Sequence, residues 1–528
     1  MLLAVSSAFL LVLSYPPFDL GWLAWVALIP WLVSLETATP RQAFLKSYLV
    51  GFLFFAGTLW WIGYVTVIGA IALVAYLALY FGAWGWFAQR ILSKGTPTSA
   101  AGRPFGAPPP GVDPPLRGIP AAKGGAVPLL ALSAAWCLLE YLRSHLLSGF
   151  GWNLLAHTQW NWIRLIQIAD VTGVWGVSFL VLGVNVALWK SLRGLTPKGI
   201  QGVRPLWRSP FLWMAALCML GALGYGKFAI QKLDACSPML GFKVALVQGN
   251  IPQTQKWDET YQEAIWKRYE ELTVKAAAQK QNLIVWPETA LPGFLEEVSI
   301  RGRLNAVLAS AGTPMLVGVP TETLDTTELH NSAVLFSPEG TEKGRHHKLH
   351  LVPFGEFVPL KPVFGWLNNV VPIGDFSAGH EFTVFRPEKP VEPFSVLICF
   401  EDLFPGMSRR FVRAGARWLL VITNDGWFGR SAASLQHLQC SVFRAVEDRV
   451  WIGRAANTGW TGFIDPLGRR VATVPRFKPG VAVGVSLGSA AGGSGYLRWG
   501  DWLPLLCLGL AVWAIIKPFR LRWKPSIS

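Results

Sequence analysis

The stretch "SVLICFEDLFPG", residues 395–406, places Cys399 at the end of an apolar, β-branched run, with the acidic pair Glu401-Asp402 directly beyond Phe400. A cysteine there is either a small hydrophobe closing a strand or a nucleophile presented at its tip. A thiol with an ordinary pKa of about 8.5 is mostly protonated at neutral pH, so a reactive one needs a proton acceptor or a nearby cation. Glu288, after the apolar run in "NLIVWPETALP", and Lys348, after "GRHH", stand at the ends of strand-like segments and supply one of each. Thiol, carboxylate and ammonium provide a nucleophile, its base and a positive charge for an oxyanion. Taken singly, each has a plain structural reading: buried cysteines are common, Glu288 can cap a helix, and Lys348 can solvate a basic turn.

What must position these groups follows from composition. The chain has 528 residues, of which 52% are hydrophobic and only 15% charged, too apolar for an ordinary soluble protein of this length. The apolar residues concentrate in residues 1–230 and again at 501–518, whereas 240–490 reads as a globular mixture long enough for one well-cored domain. Windows near the length that crosses a bilayer are "LGWLAWVALIPWLVSL", two within 48–88 that must fold back near Gly63 or Gly69, "VPLLALSAAWCLLEYL", "LIQIADVTGVWGVSFLVLGVNVALW", "FLWMAALCMLGALGYG" and "WLPLLCLGLAVWAII". The short "MLLAVSSAFLLVLS" lacks the basic flank of a signal peptide and counts as a span. The expectation is seven spans before the globular domain and one after it.

Charge agrees with this count. With the N-terminus inside, the inside loops at 36–46, 90–126, 190–210 and 517–528 carry nearly all of the formal net charge of +16, opposed only by Glu36 and Asp113. No basic stripe is left over, so the pI of about 9.7 is not a nucleic-acid signature. Seven crossings put the globular domain on the outer, non-cytoplasmic face, so a periplasmic domain is the expectation. The Pro/Gly-rich stretch at 95–125 reads as a cytoplasmic loop. Among six cysteines and eight histidines there is no CxxC, Cys/His or HExxH spacing, so no metal site and no cofactor is expected. A disulfide between Cys399 and Cys440 stays open in an oxidising compartment.

Within 240–490, short β-rich runs alternate with helical stretches. "FKVALVQGN", "NLIVWPE", "PMLVGVP", "NSAVLF", "FSVLICF", "RWLLVIT" and "WIGRAA" read as strands, and "WDETYQEAIWKRYEELTVKAAAQK" reads as an amphipathic helix. The order implies an α/β domain with its functional groups at strand ends.

Three motifs in this order, "WPET", "KLHLVPFGEFVP" and "ICFEDLFP", resemble the signatures of the carbon-nitrogen hydrolase (nitrilase) superfamily. That resemblance implies an α-β-β-α sandwich with Glu288 as general base, Lys348 as oxyanion stabiliser and Cys399 as nucleophile. The added spans, with "VALVQGNIPQTQKWDE" and "AANTGWTGFIDPLG", resemble the apolipoprotein N-acyltransferase family along essentially the whole chain. This implies a phospholipid acyl donor, typically phosphatidylethanolamine, a diacylglyceryl apolipoprotein acceptor, and supporting roles for Glu356 and Glu401. It also implies substrate contacts from Trp257, which among 27 tryptophans can equally be a core aromatic, and from Phe400, where the family often has Tyr. Trp427 in "NDGWFG" is a candidate wall of an acyl groove, with Phe428 beside it. The apolar segment 359–376 is a candidate lid dipping into the bilayer, or equally a helix packed on the sandwich. The rival reading is a membrane-tethered amidase acting on a small C–N substrate.

Overall fold

The computed structural model describes residues 1–92, 126–193, 206–236, 242–323, 328–357, 376–484 and 493–522. The loop at 95–125, nearly all of the candidate lid and the joints near 240 and 490 lie outside the described residues.

The N-terminal part is helical: α1 (Leu2–Leu13), α2 (Ile29–Leu35), α3 (Pro40–Leu59), α4 (Val67–Leu92), α5 (Ala126–Arg143), α6 (Val174–Arg193) and α7 (Pro210–Cys236). Thr39 and Gln42 cap the start of α3 reciprocally, with Pro40 at its first position. A tight turn at Trp60–Tyr64 folds α4 back onto α3, as the double-length apolar block requires. The two helices approach so closely that a Cβ at Gly85 would lie 1.8 Å from the Ser47 hydroxyl, a small-residue contact suited to an apolar medium.

Among the described residues, four helices are long and apolar enough to cross a membrane: Pro40–Tyr64, Val67–Leu92, Val174–Leu192 and Pro210–Ala235. The first two expected spans form shorter apolar helices, Leu2–Leu13 and Gly21–Leu35. One is the 12-residue α1, and the other is a short 3-10 turn at Gly21–Trp25 followed by the 7-residue α2. A Cβ at Gly21 would stand 2.0 Å from the Thr158 carbonyl oxygen, and Pro30 lies in the first turn of α2, where its missing N–H costs nothing. The run expected as one span from 165 to 189 is broken at Gly173 (φ +67°), and α6 begins beyond it.

The middle of the chain contains two mixed sheets. The six-stranded sheet runs β11-β1-β2-β3-β4-β5, with β1 Val244–Gln248, β2 Leu283–Val285, β3 Met315–Thr323, β4 Glu328–Phe336, β5 Glu342–His347 and β11 Gly480–Gly484. The five-stranded sheet runs β10-β9-β8-β7-β6, with β6 Phe394–Ile398, β7 Trp418–Thr423, β8 Ile452–Ala456, β9 Thr461–Ile464 and β10 Arg470–Val474. Side-chain alternation builds the layers. Val244, Leu246, Leu283 and Val285 pack between the sheets against Val396, Ile398, Leu420 and Ile422. Ala245, Val247 and Ile284 face outward to α8 (Gln262–Ala277) and α9 (Val298–Ala311).

The other outer layer is α10 (Pro405–Arg413) and α11 (Ala433–Asp448). α11 is buried on nearly all sides, because its apolar face (Leu438, Val442, Phe443) meets the sheet while the helical part of the chain covers its other face. The polar residues it buries there are bonded across the seam: Gln436 Oε1 accepts from the Trp61 and Trp152 indoles (3.1 and 3.0 Å) and its Nε2 donates to the Pro16 and Thr58 carbonyls. Glu447 accepts from the Val174 N–H at the start of α6 (2.7 Å). The C-terminal helix α12 (Trp502–Arg522) packs on α5 through Cys507 and Leu503.

Candidate active site

Each central residue follows the C-terminal end of a strand. Glu288 lies three residues past β2, on backbone that continues along β3 through Trp286 N–H to the Leu316 carbonyl and Ala290 N–H to the Gly318 carbonyl. Gly318 is obligatory there, since a Cβ would stand 2.2 Å from the Pro287 carbonyl oxygen. Lys348 follows β5 and its N–H donates to the Asn331 carbonyl (2.8 Å). Cys399 follows β6 in a left-handed conformation (φ +55°), a strained position for a residue with a side chain and a common one at reactive turns.

The charged groups converge. Lys348 Nζ lies 2.9 and 2.8 Å from the two oxygens of Glu356 and 3.5 Å from Glu288 Oε1. Asn331 donates through one amide nitrogen to both Glu288 Oε1 (2.8 Å) and Glu356 Oε1 (2.9 Å), and the Asn424 backbone N–H donates to Glu288 Oε2 (2.7 Å). Glu356 also accepts from the Val352 N–H (2.8 Å). Burial works against the Lys348 ammonium, but Glu356 and Glu288 outweigh it and raise its pKa above that of an ordinary lysine. Burial, then the charge of Glu288, pushes the Cys399 thiol well up, with Lys348 opposing. The resting sulfur is therefore a thiol, and ionising it requires a base at the moment of attack.

Glu401 ties two of these segments together. It accepts from Ile398 N–H (2.7 Å) on the Cys399 side and from Leu349 and His350 N–H (2.6 and 3.0 Å) on the Lys348 side. Burial lifts its carboxyl to about 7 despite those donors. Beneath the nucleophile turn, His437 Nδ1 lies 2.9 Å from Asp425 Oδ1, and Nε2 lies 2.8 Å from Asp402 Oδ1 and 3.2 Å from the Cys399 carbonyl. Arg454 joins both aspartates. Burial and Arg454 oppose the imidazolium, yet the two aspartates hold the His437 pKa above its usual value.

Residues 243–485 match the carbon-nitrogen hydrolase family model, and residues 7–187 match the model described as the apolipoprotein N-acyltransferase N-terminal domain. Over 98% of its length the chain is 38% identical to an apolipoprotein N-acyltransferase from Geobacter metallireducens, covering 95% of that protein. The chain belongs to the apolipoprotein N-acyltransferase family. Its similarity to the family's enzymes from Methylococcus capsulatus (33% identity, 97% of this chain, 94% of that one) and Chlorobaculum tepidum (32%, 98% and 97%) is also full-length.

In this N-acyltransferase, then, Glu288, Lys348, Cys399, Glu356 and Glu401 share one cluster. Phe400 packs edge-on with Phe404 and near His350 at the rim. Trp257 is 40% exposed, and Trp427 is half-buried on the 425–428 turn. The half-buried Phe428 has its ring 4.5 Å from Trp61 in the seam with the helical part. Asp425 is fully buried among His437 and Arg454. Cys399 and Cys440 are both free, and Cys440 is buried in α11.

Three contributors escape sequence reading. Asn331 sits mid-strand in "LHNSAVLF", an unremarkable place for a polar residue. His437 belongs to no quoted catalytic motif, although its partner Asp402 lies within "ICFEDLFP". Lys256, beside Trp257, is buried and donates to the Glu288 carbonyl (3.1 Å) and Thr289 Oγ1 (2.6 Å). Burial lowers its pKa to about 7, with Glu288 and Cys399 opposing. The only sequence signal for it was its place next to a motif tryptophan.

Proposed function

We propose that this N-acyltransferase works by a two-step thioester mechanism in which Glu288 is the general base, Cys399 the nucleophile and Lys348 the oxyanion stabiliser. In the first step Glu288 takes the thiol proton and sulfur attacks an acyl ester of a phospholipid, phosphatidylethanolamine-like in the favoured reading. The C–O bond breaks, and the lysophospholipid oxygen leaves with the proton that Glu288 carried. In the second step the neutral α-amine of the diacylglyceryl cysteine attacks the thioester. Glu288 takes the amine proton, the amide forms, and the thiolate leaves and is reprotonated. Lys348 and backbone N–H groups hold the negative oxygen in both tetrahedral intermediates.

The observation that carries this reading is the placement of Lys348 3.5 Å from Glu288 in a buried cluster whose charges both act on the Cys399 thiol. Glu356 keeps Lys348 in place, and Glu401 holds the Cys399 and Lys348 segments in register. Trp257, Phe400 and Trp427 contact the lipid chains. No cofactor enters the chemistry.

The domain division is 1–230, 240–490 and 501–518, with the middle part on the periplasmic side of the inner membrane and the apolar stretches on either side embedded in it. A cytoplasm-only reporter that worked when fused near residue 300 would contradict that side.

The experiment for the mechanism is mass spectrometry of the purified enzyme after exposure to phospholipid. A hydroxylamine-sensitive acyl group is expected on the peptide containing Cys399, and none in Cys399→Ala. An acyl-enzyme that persisted on another residue in Cys399→Ala would overturn the assignment.

A further inference from the structure

Arg430 and Arg476 stand outside the site described above. Both guanidiniums lie over the same ring, that of Phe477, at 5.6 and 5.4 Å from its centroid. Arg430 is exposed and Arg476 partly buried, and among the described residues neither has a carboxylate within ion-pair distance. The one side-chain hydrogen bond recorded for the pair runs from Arg476 to the Ser434 hydroxyl (3.2 Å). Burial depresses the Arg476 pKa, opposed only by the more distant Asp425. Two like charges gathered on one ring, one of them partly desolvated, are unfavourable until an anion arrives.

Their position indicates which anion. The loop carrying Arg476 and Phe477 joins β10 of one sheet to β11 of the other, and Gln248 at the C-terminal end of β1 donates to its Pro475 and Lys478 carbonyls. β1 runs parallel to β2, so this is the edge of the sheet that carries Glu288. Phe477 N–H bonds the Thr458 carbonyl, the neighbouring Asn457 bonds Asn424, and the Asn424 N–H bonds Glu288. On the other side, Gly429, next to Arg430, faces Tyr64 in the turn between the two long apolar helices α3 and α4. Tyr64 and Trp60 there are 62% and 52% exposed, amphipathic rings of the kind that sit at headgroup level. The two arginines therefore lie between the depth of lipid headgroups and the catalytic edge.

We infer that Arg430 and Arg476, held on Phe477, bind the phosphodiester of the acyl-donor phospholipid and so orient its ester toward Cys399. This rests on the thioester reading above. Guanidiniums match phosphate oxygens geometrically, and the acceptor amine of the second step, which brings no phosphate, gains nothing from them. The pair thus distinguishes donor from acceptor.

The test uses the full chain in a neutral detergent, where no anionic bilayer surface contributes. Thioester formation on Cys399 is followed with a short-chain phospholipid and with a diacylglycerol of the same acyl chains, which has the ester but no phosphate. In Arg430→Gln/Arg476→Gln the KM for the phospholipid is expected to rise about tenfold or more, with the KM for diacylglycerol unchanged. An unchanged phospholipid KM, or an equal change for both donors, overturns the inference. A site for free phosphate would leave the phospholipid KM unchanged while inorganic phosphate still bound, which also overturns it. Failure of the wild-type enzyme to form a thioester from either donor sinks the acylation reading instead, so the two failures are separable.

Discussion

Glu401 accepts a hydrogen bond from the Leu349 N–H at 2.6 Å, so a carboxylate two residues beyond the proposed nucleophile grips the residue immediately after Lys348. With its second oxygen on Ile398 N–H, it fixes the spacing between two segments that share no strand pairing.

Glu401→Gln keeps the shape but turns an amide N–H toward backbone N–H groups. Leaving buried donors facing one another costs about 1–3 kcal/mol. The larger effect is expected on turnover, a fall of about 100-fold with acyl-donor KM little changed, because misplacement of reacting groups by about an ångström has that consequence. Steady-state kinetics of the variant, with a melting curve to show it folded, checks this.

Gly318→Ala tests how Glu288 is held. A methyl there would meet the Pro287 carbonyl at 2.2 Å and the Glu288 Cα at 2.8 Å, so the segment bearing the proposed base must move. Activity should fall at least as far as in Glu401→Gln. Both half-reactions use the same proposed base, so the rate of Cys399 acylation, followed in a single turnover, should fall along with turnover.

Gln436→Leu tests the seam. It removes the acceptor for the Trp152 indole and the donor for two buried carbonyls, Pro16 and Thr58, with a cost of about 2 kcal/mol or more. The intrinsic fluorescence melt of the detergent-solubilised protein should shift down by several degrees. Gln436 is next to His437 beneath Cys399, so turnover should drop as well.

Asp425 sets an acid limit. Burial opposes its ionisation, but Arg454 and His437 outweigh burial and hold its carboxyl at about 2, below the ordinary aspartate value of 3.8. A depressed folded-state pKa contributes stability fully above pH 3.8 and loses it as pH falls through about 2, worth about 2 kcal/mol for this group. Melting curves between pH 4 and 2 should fall more steeply for the wild type than for Asp425→Asn. At neutral pH the variant should be less stable throughout, because Arg454 keeps only one of its two aspartate partners.

Much of the site was legible because its signals are local. Glu288 and Cys399 each follow an apolar run that reads as a strand, Lys348 opens the motif "KLHLVPFGEFVP", and the order of the three matched the family's motifs. The helical part was readable to the extent that hydropathy is: the fold-back near Gly63 appears where the composition required it, and the first two apolar runs form helices shorter than α3 and α4. Asn331 and His437 were not legible, because nothing within a few residues of either differs from an ordinary buried polar position, and Lys256 had only the neighbouring Trp257 to mark it. The contacts of the turn Asp425–Phe428 were hidden for the same reason, since Phe428 meets Trp61 and Asp425 meets Arg454 and His437 from distant parts of the chain.

The sequence by itself determined the family, the chemical identity of the three central groups, and the alternation that stacks two sheets between helices. Those properties are written in residue type and in periods of two and of about twenty residues. Only the tertiary structure decided that the Asn424 N–H meets Glu288 from 136 positions away, that Glu401 bridges the Cys399 and Lys348 segments, and that α11 is bonded to Trp61 and Trp152 of the helical part. Such contacts depend on the order of strands in a sheet and on the helical part docking against α11. Both are properties of the whole folded chain, and no window of sequence contains them.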